Sequence, residues 1–232
     1  MMNALHYIIF HPDYAREKIE VKAKILLYNK VKDWQGSIWV DETKGNEDPY
    51  VFHTNWLYSY CHATQIKRQP NENEPFVKED SFLFFCNGDS VDNDYLQFDT
   101  VFKIDRITHW YDDGMKIPKE FESHYKNNKS ELWRRHFRFP SVGIHKGKYT
   151  YVGKIWDGID NSYSFLPISM ENERVLFHIE ELPEDLRNKI IEKRKGKYPI
   201  SLIDEEKEII LDLIERRCFI KVIKDIVKLN SL

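Results

Sequence analysis

The sequence is short of cysteine, of long apolar runs and of any dominant charge. Three cysteines, Cys61, Cys86 and Cys218, are spread over 232 residues. An odd, widely spaced set builds no disulfide framework, and without a C-x-x-C pair there is no zinc-knuckle spacing. No apolar run approaches the roughly 18 residues that cross a bilayer. Residues 1–10 lack the basic segment and apolar stretch of a secretion signal. The expectation is a cytoplasmic protein with no membrane partner. Bases number 35 and acids 38, a net charge of −3, so nothing pulls the whole chain toward a polyanion. Any such contact must come from a local patch. The phosphate-cradling loops G-x-x-x-x-G-K-[ST] and G-x-G-x-x-G are missing, as is the G-x-S-x-G nucleophile elbow. No internal repeat or low-complexity tract interrupts the chain.

Aromatic residues are what the chain has in quantity: 14 Phe, 13 Tyr and 6 Trp. Rings suit pleated, half-buried surfaces, and they are also what nucleobases stack on. A hydrophobic share of 41% supplies a core for one domain, or one domain with an appendage.

Apolar pattern and turn residues divide the chain into elements. Residues 5–11, LHYIIFH, form a short apolar run stopped by Pro12 and read as a buried strand. Residues 12–28 fit both a helix, with Ile19, Ala23 and Leu26 on one face, and a strand, because IEVKAKILLY alternates. Residues 36–40 read as a strand. FLFFC, 82–86, is continuously apolar, as a strand covered on both faces would be. NGDSVDN, 87–93, has turn chemistry, and YLQFDTVFKIDRI, 95–107, alternates, with Phe98, Thr100, Phe102 and Ile104 expected on one face. Together they predict a hairpin. Residues 118–133 read as a helix opened by proline. Strands are expected at 148–156, 165–168 and 175–179, and a helix at 183–195. A long helix is expected over 201–228, capped by Ser201 and Asp204, with Ile209, Leu213, Ile220 and Ile223 as its apolar stripe. The reading is an α+β protein with a β-rich domain over 1–180 and a helical C-terminal appendage over 181–232.

The segment 76–113, FVKEDSFLFFCNGDSVDNDYLQFDTVFKIDRITHWYDD, resembles the PUA-like superfamily, which includes the EVE, ASCH and YTH-type domains. A polar entry, Val77-Lys78-Glu79-Asp80, precedes an apolar strand. A second strand ends in Trp110, Tyr111, Asp112 and Asp113. Glu79 stands where that pattern has glycine. Upstream, TNWLYSYCHATQIKR, 54–68, is similar to the stretch before this turn in nucleotide-modification-associated domains of phage and bacterial type. Trp56, Tyr60, Cys61, Lys67 and Arg68 carry that likeness. The resemblance covers residues 50–160. It implies a PUA-like, partly closed β-barrel with flanking helices, and recognition of a base in DNA or RNA, modified or extruded from its stack, without naming a reaction.

Charge is uneven along the chain. Residues 129–154 hold seven cations, Lys129, Arg134, Arg135, Arg138, Lys146, Lys148 and Lys154, against Glu131 alone, a local excess of six in a chain whose total is −3. Guanidinium forks suit phosphate, and the interleaved rings suit bases. Arg134, Arg135, Arg138 and Lys148 are therefore the expected phosphate contacts. Trp56, Tyr60, Trp110 and Trp156 are the expected walls for a base, with His62 or His145 bonding to its edge. Solvated helix ends and packed core rings are the plain alternatives. Cys61 and the adjacent His62 would point to opposite faces of a strand, whereas His53, eight residues from Cys61, could share its face, which makes Cys61 with His53 the candidate for nucleophilic chemistry. Asp92 with Asp94 and Asp112 with Asp113 lie in turn-like sequence, where aspartate is expected without any metal. No cofactor or metal site is expected. An enzyme acting on nucleobases or nucleotides, and an interaction module that touches no nucleic acid, are the rival functions. The C-terminal helix packs on the barrel or joins a second copy in a homodimer.

Overall fold

The computed structural model describes residues 4–11, 16–40, 49–58, 66, 77–87, 94–109, 149–194 and 199–229. Eleven strands and two α-helices lie within them: β1 His6–His11, β2 Glu17–Leu27, β3 Lys30–Val40, β4 Leu57–Tyr58, β5 Phe82–Asn87, β6 Tyr95–His109, β7 Tyr149–Gly153, β8 Leu166–Ile168, β9 Val175–His178, α1 Glu184–Arg194, β10 Ile200–Leu202, α2 Asp204–Arg217 and β11 Ile220–Lys228.

Strands β1 and β5 are apolar on both sides because both sides are covered. Tyr7, Ile9, Leu83 and Phe85 face one core; Ile8, Phe10, Phe82, Phe84 and Cys86 face another. A period of two sends successive side chains to opposite faces, so a continuous apolar run marks a middle layer. That layer is a seven-stranded mixed sheet in the order β10-β1-β5-β6-β7-β4, with β9 also pairing with β6. A four-stranded sheet, β3-β2-β11-β8, covers one face through Val21, Ala23, Ile25, Ile38 and Val222. Helices α1 and α2 cover the other through Leu186, Ile190, Ile210, Leu213 and Ile214.

The hairpin expected from FLFFC and the strand after it is present: β5 pairs antiparallel with β6, Leu83 opposite Phe102 and Phe85 opposite Thr100. Its facing differs from the alternation read in the sequence. Thr100 sits opposite Phe85 and Phe98 opposite Cys86, so Asp99 is one residue extra, a β-bulge. The extra residue reverses the facing. Phe98 and Val101 lie on the helix side, whereas Phe102 and Ile104 lie between the sheets.

The stretch that fitted either helix or strand is a strand. β2 and β3 pair along eleven positions, joined by Tyr28 and Asn29, both with positive φ (50° and 58°). That mirror-image turn matches the right-handed twist of the strands it connects.

The expectations for the C-terminal region and for the barrel are corrected. The long helix over 201–228 ends at Arg217, and its first residues are strand β10, in which Ser201 pairs with Tyr7. The helix start is held by Glu206, which accepts the Ile203 N–H at 2.9 Å, in place of a Ser201 cap. Residues Ile220–Lys228 form a strand between β2 and β8. The sequence IKVIKDIVK has a helical stripe, but it is rich in β-branched residues, and the ladder bonds offered by two strand edges impose the extended form, with register shifts along the strand. The expected helical appendage thus contributes a strand to each sheet. The α+β class holds, but among the described residues the sheets run open, ending at β10 and β4 and at β3 and β8, with no closure into a barrel. No helix of the described residues is long and apolar enough to cross a membrane.

Candidate functional site

Only two of the expected site residues fall within the described structure. Trp56 lies in the core between the sheets, 1% exposed, where its carbonyl accepts the Gly153 N–H at 2.7 Å. It has no open face on which a base could stack; its position fixes the end of β7. Trp156 follows three residues later, half-buried against the helix-side core. Lys224, from β11, places its Nζ 5.1 Å from the centre of the Trp156 ring and 3.4 Å from the Trp156 carbonyl oxygen. Such a cation–ring contact orients the indole at a cost of no buried charge. Lys24 lies directly across from Lys224 on β2 and pairs with Asp33 at 2.7 Å. Tyr60, His62, Trp110, Arg134, Arg135, Arg138, His145 and Lys148 lie outside the described residues, as do Cys61, Asp92, Asp112, Asp113 and the expected helix over 118–133.

The remaining nucleophile candidates are quiet. His53 Nδ1 is 2.8 Å from the Asn55 carbonyl and accepts the Asn55 N–H, closing a local turn. Cys86 is fully buried in the helix-side core. Cys218 caps the end of α2, and burial pushes its thiol up to about 12, far from the thiolate that nucleophilic chemistry needs.

A second polar centre was not anticipated. Asp99, carried inward by the bulge in β6, lies 2.8 Å from His11 Nε2 at the end of β1 and 3.4 Å from Arg16 Nε just before β2. Arg16 Nε is within 3.2 Å of both His11 ring nitrogens. Thr100 donates its hydroxyl to Asp99 Oδ1 at 2.9 Å. Beyond Asp99, Arg174 closes a small cavity with Trp39 and Ile38. Burial alone would push the Asp99 carboxyl up. The charges of Arg16, His11 and Arg174 outweigh it and hold the group at about 2. The side chains of Asp99 and Arg16 are 1% and 2% exposed. Enclosed this far, the Asp99–Arg16 pair ties the end of β1 and the start of β2 to the bulge in β6. The signal for it was an aspartate set between Phe98 and Val101 in an otherwise apolar strand. Its partners, at positions 11, 16 and 174, are too far apart in sequence to be associated without the fold.

No protein-family model matches the chain, and no curated protein or solved structure matches it either.

Proposed function

We propose that the protein binds nucleic acid, holding phosphates with the cationic stretch 129–154 and stacking a base on Trp156. The observation that carries this reading is the half-buried, cation-braced indole of Trp156, which comes two residues after the stretch with seven cations and one acid. The two halves of the proposal do different work. Phosphate contacts supply affinity without sequence preference, and a ring supplies about 1–3 kcal/mol per stacked base. Arg134, Arg135, Arg138 and Lys148 take the phosphate role. Trp110, Tyr60 and either His62 or His145 join Trp156 around the base. The PUA-like resemblance of residues 50–160 supports base recognition as the purpose of this arrangement.

The test is fluorescence anisotropy across single-stranded and duplex DNA and RNA, each with plain and modified bases, at several salt concentrations. Affinity should fall steeply with salt, and joint replacement of Arg134, Arg135 and Arg138 by alanine should weaken all sequences alike by at least about tenfold. Trp156→Ala should reduce discrimination among bases more than overall affinity. Wild-type affinity in the triple arginine variant overturns the proposal.

A further inference from the structure

An open groove of about 720 Å3 lies between the β8–β9 turn and the end of α2, beside the start of β11. Its floor is the cross-strand pair Gln97 and Leu176. Arg174 enters from the turn, and Arg216 and Arg217 enter from the last turn of the helix. Met170, Leu176 and Phe219 also line it, and they are 71%, 40% and 37% exposed, so three large apolar side chains that water would disfavour sit around one depression. The volume falls within the range of small-molecule sites.

The charge on the groove is specific in kind. Three guanidiniums meet two carboxylates on its rim, Glu171 and Glu173, and Glu173 is engaged by Lys18 at 2.7 Å. Arg216 binds Asp212 through Nε at 3.0 Å and Nη2 at 2.6 Å, and Arg217 pairs with Glu181. These pairs are solvent-accessible, a setting in which an ion pair contributes little. A guanidinium has five N–H donors, so an incoming anion can share the arginines or take them over. Guanidinium forks favour planar carboxylate and phosphate over point-like anions.

We propose that this groove binds a small amphipathic anion, one ring system bearing a phosphate or a carboxylate, with the ring against Phe219 and Met170 and the anionic group among Arg174, Arg216 and Arg217. The site is separate from the Trp156 surface and independent of nucleic-acid binding. Arg174 also lines the cavity beside Asp99, so the anion is held at the outer end of the buried charge group.

Titration calorimetry of the full chain tests this with four probes: adenosine monophosphate, indole-3-acetate, adenosine and inorganic phosphate. Saturable binding of either ring-bearing anion is expected, and which of the two binds more tightly assigns the anionic group. Adenosine and phosphate alone should each bind at least about tenfold more weakly. Arg216→Glu and Phe219→Ala, both at exposed positions, should each weaken the preferred probe by about tenfold or more, while Trp156→Ala leaves it unchanged. Failure of the wild-type protein to bind either ring-bearing anion, equal binding of adenosine and its monophosphate, or undiminished binding in Arg216→Glu overturns the proposal.

Discussion

His6 and Asp204 join the start of the parallel strand pair to the first turn of α2. His6 Nε2 lies 3.0 Å from Asp204 Oδ1, and Nδ1 accepts the Phe82 N–H at 2.9 Å. The imidazole is 2% exposed. An Nδ1 that accepts a backbone hydrogen cannot also carry a proton, so the arrangement requires the neutral ring, with its hydrogen on Nε2 directed at Asp204.

Stability should therefore decline in mild acid. Burial lowers the His6 pKa from its usual 6.5, against the hydrogen bond to Asp204, which raises it, and with help from Lys207. Folded protein binds fewer protons here than unfolded protein. The contribution is complete above pH 6.5 and is lost as pH falls below it toward the depressed value. His6→Leu leaves the Phe82 N–H without its acceptor and should cost about 1–3 kcal/mol near neutral pH. It should also flatten the pH dependence below 6.5. Urea denaturation at several pH values checks both.

Asp99 governs a more acidic window. Its carboxyl titrates at about 2 in the folded protein against an ordinary 3.8, so its stabilisation is present above 3.8 and disappears as pH falls toward 2. Asp99→Asn removes the carboxylate from Arg16 and leaves cations enclosed beside it, a change expected to cost about 3–5 kcal/mol. The loss should appear in urea midpoints at neutral pH, and the acid limb between 3.8 and 2 should shrink with it.

Two glycines should respond differently to alanine. At Gly153 an added Cβ would meet Trp56 Cβ and the Phe102 ring, each at 3.1 Å, where both neighbours are enclosed by core. At Gly36 it would meet the Trp34 ring at 2.2 Å, but that indole lies at the edge of the small sheet and can swing away. Gly153→Ala is expected to cost about 1–3 kcal/mol. Gly36→Ala should cost less and red-shift tryptophan emission as Trp34 moves into water. Equal costs, with no spectral change, would contradict the packing described.

A stop codon after Cys218 deletes β11 and should abolish cooperative folding. The deletion separates β2 from β8 and uncovers Ile25 and Val21. A removable appendage would instead leave a sharp thermal transition, so calorimetry of the truncated chain decides the point.

Local pattern was sufficient wherever only one structure satisfied it. The run FLFFC announced a strand covered on both faces, the turn residues after it announced the hairpin with β6, and LHYIIFH ended where Pro12 ended it. The early acids Glu184 and Asp185 and the later bases marked α1. The cationic excess at 129–154 needs no fold to be counted. Tertiary structure decided what local pattern left open. IKVIKDIVK carries a helical stripe and reads as helix, and the unpaired edges of β2 and β8 overrode that stripe, because each buried N–H and C=O must find a partner. The bulge at Asp99 reversed the facing of β6 from Val101 onward. It also brought together His11, Arg16, Asp99 and Arg174, whose separation along the chain hides that they form one charged group. Sequence reports which residues have the right chemistry, and only the closing of the layers determines which of them meet and which lose contact with water.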